Sequence, residues 1–214
     1  MFTNRSEAGI ELAGRLTDWK GSDTVVLAIP RGGVPVGYEV AEKLGTCLSI
    51  LIVQKLPFPY NPEAGFGAVA EDGSLVILPG ASRNMNRELI ETIIADQKKE
   101  IERRIHILRG GRPLPDLEGR KVILVDDGIA MGSSMRAGVR YISGKNPAEI
   151  IVAAPVSSPE AAHALSQMEA VNKVIVLEEP RFFHSVAKSY EQWKEVPDYE
   201  VLNLLNKCKA CDYQ

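Results

Sequence analysis

Several things are scarce in this 214-residue chain, and each scarcity excludes something. Aromatic residues make up 6% of it, too few for the stacking surface that holds single-stranded nucleic acid. Neither sign of charge dominates: 25 Lys and Arg stand against 28 Asp and Glu, a formal net charge of −3, so no global field draws the chain to a polyanion. No apolar run approaches the roughly eighteen residues of a bilayer-spanning helix. The opening residues, MFTNRSEAGIELAGRL, lack the apolar stretch of a secretory signal. The expectation is a soluble cytoplasmic protein with neither nucleic acid nor membrane as partner.

Cysteine is scarce too. Cys47 lies in an apolar run and reads as a small buried hydrophobe. Cys208 and Cys211 form one C-x-x-C, but no second pair or histidine cluster accompanies them to complete a tetrahedral zinc site. They read as reduced, structurally idle thiols; a metal shared across a dimer is the alternative.

What is present is an alternation of buried strands and helices. The runs Thr24–Ile29, Leu48–Val53, Lys121–Val125, Glu149–Pro155 and Lys173–Leu177 are rich in Val, Ile and Leu and read as strands. Helical spacing predicts helices over Asn4–Trp19, Val34–Leu44, Arg83–Leu108, Ser134–Ser143, Pro159–Glu169 and Asp198–Lys207. Such alternation implies an α/β fold, a mainly parallel sheet covered by helices on both faces, in a single domain. A short hairpin is expected around Asp72-Gly73. The stretch Gln54–Gly67, with three prolines, two glycines and a lysine, reads as a long functional loop. The Arg83–Leu108 helix interleaves Lys98, Lys99, Arg103 and Arg104 with Glu91, Glu100 and Glu102, as a solvated, ion-paired face does; an RNA-binding face is the alternative. His106 and His163, in helical patterns, read as surface or half-buried fillers.

The chemistry concentrates at Val122–Ser134, VILVDDGIAMGSS. In open α/β sheets ligands sit beyond the carboxyl ends of strands. Here a strand runs into Asp126-Asp127-Gly128, then into Ala130-Met131-Gly132-Ser133-Ser134 and a helix. A helix N-terminus offers unpaired N–H groups and the positive end of the macrodipole. Gly132 permits close approach of an anion, and Ser133 and Ser134 add hydroxyls. The two carboxylates would repel bare phosphate but accept hydrogen bonds from hydroxyl groups. A phosphate joined to vicinal hydroxyls, as in ribose 5-phosphate, satisfies both halves. The plainer alternative is a strand ending in acids and a serine-capped helix. The first strand ends in Arg31-Gly32-Gly33, whose arginine fork and flexible turn suit a second phosphate; a tight turn with a surface arginine is the alternative. Lys55, after the second strand, is a third cationic candidate.

Four apolar residues, two acids, a spacer and a Gly/Ser phosphate loop resemble the PRPP signature of the type I phosphoribosyltransferases. The resemblance spans nearly the whole chain, through Asn4–Gly9, AIPRGGVPVGYEVAEKL, NPEAGFGAVAEDG, RGGRPLPDLEGRKVILVDDGIA and PRFFHSVAKSY. It is nearest to a subgroup of uncharacterised phosphoribosyltransferase-like proteins. It implies that Asp126 and Asp127 hold the ribose and that Ala130, Met131, Gly132, Ser133 and Ser134 hold its 5-phosphate. It implies that Arg31, Gly32, Gly33 and Lys55 hold the diphosphate, with a non-proline cis peptide at Arg31-Gly32. Catalysis would rest on Lys55, Arg31 and Asp127. It further implies magnesium carried mainly by the diphosphate, with Asp126 or Asp127 as possible ligands, a homodimer, and a hood over the acceptor built from residues 1–20 and 180–214.

The chain departs from the family pattern at Met131, where threonine is usual, and at Ser133. In the hood it departs at Ser185, Ala187 and Ser189. Ala130 stands where enzymes acting on 6-oxopurines carry an acid, which argues against that acceptor class. His184 is a candidate acceptor contact, with a solvent-facing loop histidine as the alternative. The functional expectation is transfer of 5-phosphoribosyl from PRPP to a nitrogen acceptor with release of diphosphate. A non-catalytic phosphoribosyl- or nucleotide-binding regulatory module, and a hydrolase acting on a phosphorylated ribose, are the alternatives.

Overall fold

The computed structural model describes residues 1–21, 23–209 and 211. Residues 210 and 212–214, the end of the expected hood, lie outside the described residues. Five strands form a wholly parallel sheet in the order β2-β1-β6-β7-β8. They are β1 (Thr24–Ala28), β2 (Cys47–Ile50), β6 (Lys121–Val125), β7 (Glu149–Val156) and β8 (Lys173–Glu178). β1 and β2 are buried throughout, and β6 and β7 are buried after their first residue, because helices cover both faces and leave no place for polar alternation.

The helices begin and end where local chemistry directs. In α1 (Arg5–Gly14) the side chain of Asn4 accepts from the Glu7 N–H, a regular N-cap. The helix stops at Gly14, and Thr17–Trp19 is a separate 3₁₀ turn, so the expected single helix to Trp19 is two pieces. α2 (Gly33–Leu44) ends in left-handed Gly45. α3 (Arg87–Arg109) starts later than expected because Asn86 caps it, accepting from Glu88 N–H at 3.0 Å. Its outer face carries the ion pairs Arg87–Glu91, Lys99–Asp96 and Glu100 with Arg103 and Arg104. α4 (Ser133–Ser143), α5 (Pro159–Ser166) and α6 (Asp198–Lys207) complete the set.

The expected long loop at Gln54–Gly67 is ordered strand. β3 (Val53–Phe58), β4 (Asn61–Ala70) and β5 (Leu75–Ile77) form a three-stranded antiparallel sheet. Its prolines misled the sequence reading, but they sit where a ladder tolerates them. Pro57 lies at a register shift and Pro62 near the turn. Leu56 and Phe66 are fully buried beneath the hairpin. The Asp72-Gly73 turn between β4 and β5 is as expected. The second strand of the main sheet is shorter than expected, ending at Ile50 because Val53 already belongs to β3.

A buried ion pair joins the two sheets. Arg109, at the end of α3, donates to Glu71 twice, at 2.8 and 2.7 Å, and to Ile50 O at 3.0 Å; Glu71 also accepts from Ile52 N–H. The cysteines also differ from expectation. Cys47 and Cys211 form a disulfide, with Cα atoms 5.0 Å apart, and Cys208 is a free, buried thiol. Residues 164 positions apart meet because the chain after α6 returns beside β2, which spacing alone does not reveal. No helix among the described residues is long and apolar enough to cross a membrane.

Candidate active site

The sheet order places the carboxyl ends of β1, β6 and β7 side by side, and the loops leaving them build the site. β6 ends at Val125, and the chain passes Asp126 and Asp127 into a loop that closes at Gly132. Gly132 is left-handed at φ +71°, a conformation that suits glycine and opens α4. No side chain caps this helix, and its first residues Ser133, Ser134 and Met135 line the cleft. The loop is tied down from behind by the end of β7: Ile129 N–H donates to Val156 O, Ser158 N–H to Ile129 O, and Ser158 Oγ to Ala130 O at 2.7 Å. Ser158 also caps α5.

A cleft of about 540 Å³ opens here. Lys55, Asp126, Ala130, Met131, Gly132, Ser133 and Ser134 all line it. Seven of the residues chosen from sequence therefore converge, drawn from β3 and the β6–α4 loop. Lys55 arrives because β3 runs antiparallel to β4, where Gly65 leaves room for its stem: a Cβ there would lie 2.5 Å from Lys55 Cγ. The apolar wall comes from Phe58, Leu78, Pro79 and Val186. Met131 is exposed at the mouth.

Four other expected residues do not line the cleft. Gly33 N–H is committed within its own turn, donating to Ile29 O at 3.1 Å. Gly32 and Gly33 serve close packing instead. A Cβ on Gly33 would stand 2.9 Å from Asp126 Cα, and one on Gly32 would stand 2.0 Å from Asp127 Oδ2. Arg31 is ion-paired with Glu195 and with Asp198, the latter at 3.2 Å. The cis peptide is Pro30-Arg31, one bond earlier than expected. Asp127 is buried: its Oδ2 accepts from Arg5 Nε at 2.7 Å and its backbone carbonyl from the Tyr190 hydroxyl at 2.6 Å. Arg5 also donates to Lys194 O and lies over the Trp193 ring, 3.9 Å from its centroid. Phe2 pairs with Tyr190 through a parallel bridge. The two ends of the chain thus meet over Asp127.

The two acids differ electrostatically. Burial, and then the neighbouring Asp127 charge, raise Asp126 well above the ordinary carboxylate range, with Arg5 acting in the opposite direction. Burial likewise pushes the Tyr190 phenol up, reinforced by Asp127. Arg5, Tyr190, Trp193 and Ser158 escaped the sequence reading. Arg5 lay in a stretch that carried the resemblance, but nothing local to it signals that it reaches Asp127, 122 positions away. His184 is exposed and lines a separate small cavity with Phe182 and Phe183. Among the described residues no three of His, Cys, Asp or Glu cluster as a metal site.

Comparison with known proteins agrees with this geometry. The chain is similar along 97% of its length, at 33% identity over 209 residues, to a Mycobacterium tuberculosis H37Rv protein that carries the phosphoribosyl transferase name. It spans about half the length of the curated relatives it matches, 47% of each. Its fold is similar to the crystal structure of TT1426 from Thermus thermophilus, with TM-score 0.79, 38% identity and coverage of 98% and 99% of the two chains. A looser likeness, of fold alone, links it to AQ2163 from Aquifex aeolicus, with TM-score 0.50, 15% identity and coverage of 81% and 73%. The model of the phosphoribosyl transferase domain matches residues 4–187, and the chain belongs to that family.

Proposed function

We propose that this protein transfers the 5-phosphoribosyl group of PRPP to a nitrogen acceptor and releases diphosphate. The observation that carries the reading is the convergence, in one cleft, of an uncapped helix N-terminus, a carboxylate and a lysine. The loop Ala130–Ser134 takes the 5-phosphate, through N–H groups that the macrodipole favours and through the Ser133 and Ser134 hydroxyls. Asp126, at the head of the same loop, takes ribose hydroxyls. Its oxygen atoms also favour the positive charge that grows at the anomeric carbon as the bond to diphosphate breaks. Lys55 stabilises the charge on the departing diphosphate, and Arg31 joins it by exchanging Glu195 and Asp198 for phosphate oxygens. The acceptor nitrogen enters against the apolar wall at Phe58, Leu78 and Val186.

The residues fit a divalent cation held mostly by the substrate. Asp126 offers one carboxylate to the cleft, and no further cluster of acids completes a protein-only site among the described residues. Magnesium bound there would neutralise charge on the leaving diphosphate. The reaction is tested by incubating the protein with PRPP, magnesium and a panel of nucleobases and small amines while following diphosphate. Release that depends on an acceptor supports transfer. Release of equal size without any acceptor favours hydrolysis, and binding of PRPP without release favours a regulatory module.

A further inference from the structure

The two adjacent acids are not equivalent, and the difference is built by residues far from them in sequence. Asp126 lines the cleft. Asp127 does not: its side chain is only 12% exposed. Both of its carboxylate oxygens lie within 3.0 Å of where a Cβ on Gly32 would stand, so the group is pressed against the Arg31–Gly33 turn. On its other side it accepts from Arg5 Nε at 2.7 Å. Arg5 is itself fixed by Lys194 O at 2.7 Å and by the Trp193 ring. The Tyr190 hydroxyl then pins the Asp127 backbone from the C-terminal segment. An ordinary strand-end carboxylate has none of this enclosure.

We propose that Arg5 divides the acid pair: it fixes Asp127 as an enclosed counter-ion and leaves Asp126 alone to read the ribose hydroxyls. The inference rests on the ribose reading given above and deepens it. Two carboxylates in adjacent positions repel each other unless a cation compensates one of them. Arg5 removes that conflict, because its guanidinium sits 2.7 Å from Asp127 and compensates it. Arg5 does not line the cleft, so it is a positioning residue. It also makes the ribose subsite depend on closure of both chain ends, since its partners Lys194 and Trp193 lie in the C-terminal segment.

The test compares two ligands, ribose 5-phosphate and inorganic phosphate, by isothermal titration of the full chain and its variants. Their affinity ratio isolates the sugar from general damage to the phosphate loop. Asp126→Asn lowers the ratio by about tenfold or more, the loss of one hydrogen bond to a charged group. Asp127→Asn leaves the ratio within about twofold, although both ligands bind more weakly as the buried Arg5 loses its partner. Arg5→Met lowers the ratio, because the unpaired Asp127 charge is left beside Asp126. The double variant Arg5→Met with Asp127→Asn restores it, since no uncompensated charge is left beside Asp126. That rescue is a response a purely structural Arg5 would not give, and the double variant also serves if Asp127→Asn alone fails to fold. A ratio lost as fully in Asp127→Asn as in Asp126→Asn, or a double variant no better than Arg5→Met, overturns the inference. A wild-type protein with no preference for ribose 5-phosphate overturns the underlying ribose reading instead.

Discussion

Replacing Gly32 with alanine tests how tightly the Arg31–Gly33 turn is keyed to the acid pair. The new Cβ would stand 2.0 Å from Asp127 Oδ2 and 2.6 Å from its Cγ, where ordinary contact begins at 3.4 Å. One group must retreat by more than an ångström. Asp127 cannot do so freely, because Arg5 holds Oδ2 at 2.7 Å and Tyr190 holds its backbone carbonyl at 2.6 Å. If the turn yields, the cost is that of overpacking, about 1–3 kcal/mol. If the Arg5 pair breaks, it approaches the ~3–5 kcal/mol of a disrupted buried ion pair. Urea denaturation of Gly32→Ala should therefore show a loss of at least about 1 kcal/mol. Gly14→Ala is the control: a Cβ there meets nothing within 4 Å and the residue is helical, so it should be neutral or stabilising by up to about 1 kcal/mol. A Gly32→Ala variant within about 0.5 kcal/mol of wild type, the scatter of ordinary surface changes, would refute the packing argument.

Glu71→Ala strands the buried Arg109 guanidinium and should cost about 3–5 kcal/mol in the same denaturation assay; a loss under about 1 kcal/mol would mean the two sheets are not joined through this pair. The Cys47–Cys211 bridge closes a loop spanning 164 positions, so Cys47→Ser should cost ~2–5 kcal/mol relative to the bridged protein, and identical unfolding of the wild type with and without reductant would contradict it. The hydrogen bond from Arg103, with Arg104 assisting, holds Glu100 down to about 2 from 4.5. A depressed folded value means stability present above the unfolded one and lost as pH falls from about 4.5 to about 2. Glu100→Gln should flatten the stability curve over that window, by under about 1 kcal/mol for so shallow a pair; an unchanged slope would show that the pair contributes nothing.

The parallel sheet was legible because burial on both faces leaves a mark in composition: five short runs of Val, Ile and Leu separated by helical spacing admit few other architectures. The cleft loop at Asp126–Ser134 was legible because strand end, acids, glycine and helix start are consecutive in the chain. What could not be read is whatever depends on distant parts meeting. The Gln54–Gly67 segment looked like a loop because prolines usually break ladders; only the position of Pro57 at a register shift reconciles it with β3. Arg31 looked like a free phosphate fork, yet Glu195 and Asp198 arrive from the far end of the chain to pair with it. Asp126 and Asp127 looked alike, and Arg5, Gly32 and Tyr190 distinguish them. The cysteines failed for the same reason, since pairing follows the path of the tail rather than the C-x-x-C spacing.

The central claim is that the cleft reads a phosphorylated ribose, and the most direct measurement is titration of the wild-type protein with ribose 5-phosphate and with inorganic phosphate under identical conditions. A phosphate site with a ribose-reading carboxylate should prefer the sugar phosphate by about tenfold or more, because a hydrogen bond to a charged group contributes roughly 1.5–3 kcal/mol. PRPP with magnesium should bind more tightly still, through Lys55. Equal affinity for the two simple ligands, or no binding of PRPP at millimolar concentration, would contradict the account.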